Sequence, residues 1–209
     1  NKIKDIFDIN LDIFIRTILV TFSFLWFTYL GTQIGEDYVA ANAILINLVF
    51  LSAFILDAYA FSTEGIVGYS LGKKDLNLFK NIVKNSFILS SLSGLIISII
   101  YFFSYEYVIN LISDLEEIRK LSSSYVIWLI ILPLISSFCY QFDGIFIGAS
   151  QTKELRNAMV FSVLSYLIIS IVLTKLLFNN GIWISLCIFM VLRGLSLFYY
   201  INKIYLRFK

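Results

Sequence analysis

Residues 38–70 read YVAANAILINLVFLSAFILDAYAFSTEGIVGYS, a nearly continuous apolar run broken by two acids, Asp57 and Glu64, in its second half. A helix crossing the hydrocarbon core of a bilayer needs ~20 mainly apolar residues. As a single helix at ~1.5 Å per residue, this stretch would run to roughly 50 Å, so it must tilt, bend or emerge from the bilayer. Its little polar alternation suits a helix wetted by lipid on one side, not a strand.

Five further blocks of the same kind flank it, at about 14–34, 85–104, 124–149, 157–178 and 181–201. The chain is 59% hydrophobic and only 14% charged, with a mean hydropathy of +0.87. A soluble domain of this length cannot hide that much apolar surface. The expectation is an all-α, polytopic membrane helix bundle of about six transmembrane helices, forming one domain over residues 1–209. Connections are short or polar, and none reads as a separate soluble domain. The first ten residues lack the pattern of a cleaved leader, and the first residue is Asn1, so a segment of a longer protein is expected.

Lysine and arginine placement sets the expected orientation. The termini and the second and fourth connections carry Lys2, Lys4, Lys73, Lys74, Lys80, Lys84, Lys153, Arg156, Lys203, Arg207 and Lys209. The opposite side carries only Arg119, Lys120 and Lys175. Both termini of the segment are therefore expected in the cytoplasm, in agreement with an even number of spans.

Charges inside the blocks are the most informative residues. Asp57 and Glu64 lie in the second block, Asp143 in the fourth, Arg193 in the sixth, and Arg16 near the start of the first. A charge at the bilayer centre costs at least ~2.5–3.5 kcal/mol, so such residues usually face a bundle interior or a water-filled cavity. Counted from Ser124, Asp143 falls about 28 Å along its span, and Asp57 reaches a similar level counted from Tyr38. Two acids on different helices at one depth can line one cavity and exchange a proton or a sodium ion. Glu64 and Arg193 read as members or neutralisers of that group, and Asn42 as a polar wall or a bond to a neighbouring helix. Arg16, so close to the start of its block, reads as a headgroup anchor.

Other chemistries are excluded or unsupported. No histidine is present, so imidazole relays and a serine–histidine–aspartate triad are impossible. Gly72-Lys73-Lys74 lacks the upstream glycine spacing of a phosphate loop. Cys139 and Cys187 sit in apolar blocks, where a thiol behaves as a small hydrophobe. A net charge of +2 implies no nucleic-acid partner. Glycine pairs four residues apart, among them Gly144 and Gly148, read as helix-packing stripes. Pro133 reads as a kink in the fourth span. Neither an enzyme nor a cofactor site is expected.

Taken together, several segments resemble the DinF-like branch of the multidrug and toxic compound extrusion (MATE) family of transporters. They are AANAIL (40–45), AFILDAYA (53–60), EGIVG (64–68), YQFDGIFIGA (140–149), LRNAM (155–159) and LRGLSL (192–197). The resemblance implies a twelve-helix fold of two six-helix lobes, with this chain as helices seven to twelve, the C-terminal lobe. It implies export of organic, often cationic, compounds in exchange for protons or sodium ions across the bacterial inner membrane. The partners implied are the lipid bilayer, a small organic substrate and an N-terminal lobe outside this chain. Asp143 matches the position of a C-lobe cation ligand, a candidate for sodium, while residues 14–34 hold no acid where some relatives carry a second. Asp57, Tyr140 and Arg193 fall within the matching segments and complete the candidate cavity. A lipid-linked oligosaccharide flippase of the same superfamily is the alternative within transport, and a non-transporting scaffold or accessory subunit the alternative outside it.

Overall fold

The computed structural model describes residues 2–208; Asn1 and Lys209, the latter counted above among the cytoplasmic charges, lie outside the described residues. Seven α-helices follow in order: α1 Lys2–Thr32, α2 Glu36–Gly72, α3 Leu76–Ile112, α4 Glu116–Ser124, α5 Val126–Gly148, α6 Thr152–Leu177 and α7 Asn179–Tyr205. A single 3-10 turn, Leu206–Phe208, closes the chain, and no strand occurs among the described residues. Six of the helices are long and apolar enough to cross a membrane. The exception is α4, a nine-residue amphipathic helix. It buries Ile118 and Ser122 and exposes a Lys120–Glu116 ion pair of 2.6 Å.

Helix α5 is the axis of the bundle. Every residue from Cys139 to Phe146 is buried, the polar Gln141 and Asp143 included, so this helix has no exposed face at that level. It packs against α2, α3 and α7, while α6 packs on α7 and α1 leans chiefly on α6. The outer helices spend their apolar side chains on the surroundings. Phe103 of α3 is 81% exposed and Ile168 of α6 is 68% exposed, contacts that only lipid can satisfy.

Close approach of α2 to α5 depends on two missing side chains. A Cβ on Gly144 would run into the backbone of Ala60, and one on Gly148 would run into the backbone of Glu64. Both pairs are four residues apart, so one turn of α5 stacks on one turn of α2 twice over. The turns between helices are equally tight. Lys74 and Ser150 take left-handed φ values of 54° and 52°, and Asp75 caps α3 by accepting from the Leu78 amide at 2.9 Å.

A second set of polar bonds fixes the outer helices at the end that carries the α5–α6 turn. Asp12 of α1 accepts from Thr152 Oγ1 at 3.1 Å and from Arg156 Nη1 at 2.5 Å. Lys203 of α7 donates to Glu154 of α6 at 2.8 Å.

The glycine contact makes a matched prediction. Gly144→Ala forces two backbones apart and should lower stability by about 1–3 kcal/mol. Gly65→Ala, on the facing helix α2 and with open space around it, should be neutral or stabilise by up to ~1 kcal/mol. Thermal unfolding of the two variants in detergent checks this, and equal losses would remove the glycine seam from the account.

Candidate functional site

A cavity of about 460 Å³ opens between α1 and α2 and reaches inward to α5 and α7. Its α1 wall follows the four-residue spacing Arg16, Val20, Phe24, Thr28, one stripe of that helix. The facing α2 wall holds Phe50, Phe54 and Asp57, and the floor is Tyr140 and Arg193. The cavity exists because α1 pairs with α6 more than with α2, so the two walls diverge.

Directly behind the floor lies a charge cluster. The Asp143 carboxylate accepts from both Arg16 Nη2 and Arg193 Nη2, and both bonds end on the same oxygen, Oδ2. Arg193 is 1% exposed at its side chain and Asp143 5%, whereas Arg16 retains 19%. The guanidinium of Arg193 sits over the Tyr140 ring at 5.5 Å from its centre, which holds it in place. Polar atoms are left over: Asp143 Oδ1, Arg16 Nε and Arg193 Nε are all buried without a partner. Asp57 stands apart from this cluster. It is half-buried on the cavity wall and joins none of the ion pairs among the described residues.

The expected site residues are therefore divided by depth. Asp57, Tyr140 and Arg193 line the cavity, and Asp143 binds two of its arginines from behind. Glu64 lies two turns along α2, half-buried and outside the cavity. Asn42 lies at the other end of α2, where its Nδ2 donates to Asn179 Oδ1 at 2.6 Å and its Oδ1 accepts from Trp183 Nε1 at 2.9 Å. It joins α2 to α7 and does not line the charged cavity.

Arg16 corrects the sequence reading. It is not a headgroup anchor, because α1 begins at Lys2 and not near residue 14. Arg16 lies about 21 Å along that helix, where it ion-pairs with Asp143 inside the bundle. The α1 stripe of Arg16, Val20, Phe24 and Thr28 was the available signal, since those spacings place a charge on the same face as the apolar wall. Among the described residues no group of three His, Cys, Asp or Glu side chains could hold a metal ion.

Six spans long and apolar enough to cross a membrane, gathered around a charged cavity, define an integral membrane helix bundle. The MatE family model matches residues 13–176, and the chain belongs to that family of membrane transporters. It is 34% identical over 189 residues to the DNA damage-inducible protein F of Escherichia coli (strain K12), a match covering 90% of this chain and 41% of that protein. Among solved structures, a MATE in complex with MaL6 superposes with a TM-score of 0.87 at 13% identity, over 98% of this chain and 47% of that one. An outward-facing multidrug resistance MATE family transporter of the MOP superfamily gives 0.84 at 12% identity, over 92% and 44%. The chain thus spans less than half the length of the proteins it matches, the extent of one six-helix lobe.

The cluster predicts coupled stability effects. Asp143→Asn leaves two guanidiniums without their counter-ion and should cost about 3–5 kcal/mol. Adding Arg193→Met should recover part of that loss, because the second change removes one of the two stranded charges. Thermal unfolding of the two single variants and the double variant measures the coupling; strictly additive effects would mean that Asp143 and Arg193 do not act as one unit.

Proposed function

We propose that this chain is the C-terminal lobe of a secondary active exporter that moves organic compounds out of the cell in exchange for protons or sodium ions. The observation that carries the reading is Asp57, an acid with no ion-pair partner among the described residues, on the wall of a cavity inside the bundle. Such a group can take up and release a cation as the cavity fills and empties. Asp143 is less free to do so, since its Oδ2 already serves two guanidiniums. Aromatic side chains Phe24, Phe50 and Phe54 offer an apolar bed for an amphipathic compound. Membership of the MatE family and likeness to a multidrug resistance transporter support the same reading.

The remaining half of the machine would be a six-helix lobe preceding this one, and the two lobes would rock about a shared cleft. An inward membrane potential supplies about 2.3 kcal/mol per charge per 100 mV, enough to drive efflux against a gradient. The proposed setting is the bacterial inner membrane, and the distribution of lysine and arginine supports both ends of this segment lying in the cytoplasm.

Two measurements test this. In the intact protein reconstituted in liposomes, Asp57→Asn should cut gradient-driven efflux of an aromatic dye by about tenfold or more, with normal protein levels. Unchanged efflux would rule Asp57 out as the coupling acid. Orientation can be read with Lys74→Cys and Lys120→Cys, because the native Cys139 and Cys187 are buried and should label poorly. A membrane-impermeant maleimide added to intact cells should label only the Lys120→Cys protein. The opposite pattern would invert the topology.

A further inference from the structure

We propose that the cavity between α1 and α2 holds the anionic head of an amphipathic molecule, a carboxylate or phosphate-type oxygen group, on Arg16 and Arg193. This deepens the exporter reading by naming the charge of its cargo, and it is opposite in sign to the cations that the family resemblance implies.

Hydrogen-bond supply is the first argument. A guanidinium carries donors only, and here each arginine spends one Nη2 on the same Asp143 oxygen. Arg16 Nε and Arg193 Nε remain buried without an acceptor, although both side chains line the cavity. Inside a membrane-spanning bundle an unmet charged donor is expensive. A ligand with two or three acceptor oxygens reaching Arg16, the more exposed of the pair, would take up guanidinium donors that Asp143 leaves over, in the forked geometry that guanidinium favours.

Charge supplies the second argument. Two guanidiniums touch one carboxylate, so the contact cluster has one positive charge in excess. Asp57 lies on the α2 wall and pairs with neither arginine. Helix α1 brings no acid to the cavity: none occurs between Asp12, which is tied to Arg156, and Glu36. Counting Asp57, the cavity and the cluster behind it carry two positive and two negative groups, with the positive excess on the arginine side. An anionic head set against the arginines and away from Asp57 meets that excess, whereas a cationic head there would be repelled.

The shape agrees with the charge. From Arg16 the α1 wall continues through Val20 and Phe24, with Phe50 and Phe54 opposite, so a polar end leads into an apolar track. A volume of about 460 Å³ suits a ligand of ordinary drug size. Arg193 is already immobilised by burial and by the Tyr140 ring, so little ordering is left to the moment of binding.

The test compares two fluorescent probes that share one apolar body, pyrenebutyrate and pyrenebutyl-trimethylammonium. Their binding to the intact protein is measured in phosphatidylcholine nanodiscs. The anion should bind about tenfold or more tightly than the ammonium, and Arg16→Gln should abolish that preference. Asp57→Asn, which keeps both arginines and removes the nearby acid, should raise affinity for the anion severalfold and stands as the check if Arg16→Gln does not fold. Equal or tighter binding of the ammonium overturns the proposal, as does unchanged anion affinity in folded Arg16→Gln protein. Replacing phosphatidylcholine with phosphatidylglycerol separates two sources of the same chemistry. Displacement of pyrenebutyrate assigns the site to an anionic lipid headgroup and retention assigns it to a diffusible anion, and both keep its polarity. Binding is read without transport, so a protein that prefers the anion but exports nothing would contradict the exporter reading and leave this one standing.

Discussion

The Asp143 carboxylate is the point on which the rest of the lobe depends. It projects from the central helix α5 and accepts from Arg16 of α1 and Arg193 of α7. Three helices are joined at one oxygen atom in a region otherwise packed with apolar side chains. Taking any one of these charges into the bilayer interior alone would be costly, and their mutual attraction in a low dielectric is what makes the arrangement tolerable. Stability is a weak reason to retain such a cluster, since apolar side chains of similar size often do as well. Its position at the floor of a cavity gives the stronger reason.

Geometry around the cluster turns it into a site. The glycines at 144 and 148 let α5 press against the backbone of α2, which brings Asp57 to the cavity beside Tyr140. Helix α1 is held mainly from the other side, by α6, through the Asp12–Arg156 pair at one end and the Trp26–Ser170 bond of 2.9 Å further along. The gap between α1 and α2 is the consequence. Its two acids differ in kind: Asp143 is committed to arginines, and Asp57 is available to a cation or to water. In the proposed exporter the two would differ in role, Asp143 holding the walls together and Asp57 changing state.

Much of this was legible in the residues. Blocks of apolar sequence gave the six spans, because lipid imposes a length requirement that few other environments do. Asp57, Tyr140, Asp143 and Arg193 could be grouped from depth and from their motifs. Three features could not. Helix α4 is too short and too polar to stand out from a connection, and only the burial of Ile118 and Ser122 identifies its inner face. Asn42 was equally consistent with a cavity wall and with a helix–helix bond, and its partners Asn179 and Trp183 lie well over a hundred residues away in sequence. Arg16 was misread because the apolar block begins near residue 14, whereas the helix itself starts with the polar turn at Lys2. Hydropathy marks an apolar block, and does not show which partners on other helices a charge near its edge will meet.

The central claim, that one carboxylate binds guanidiniums from two different helices, can be measured directly in bilayers. Magic-angle-spinning NMR with carbon–nitrogen dipolar recoupling would report which arginine nitrogens lie next to the Asp143 side-chain carboxyl carbon. The account predicts correlations to two guanidinium groups, assigned by their separate loss in Arg16→Gln and Arg193→Gln protein. A correlation to Arg193 alone, with Arg16 showing only contacts to lipid headgroups, would contradict it.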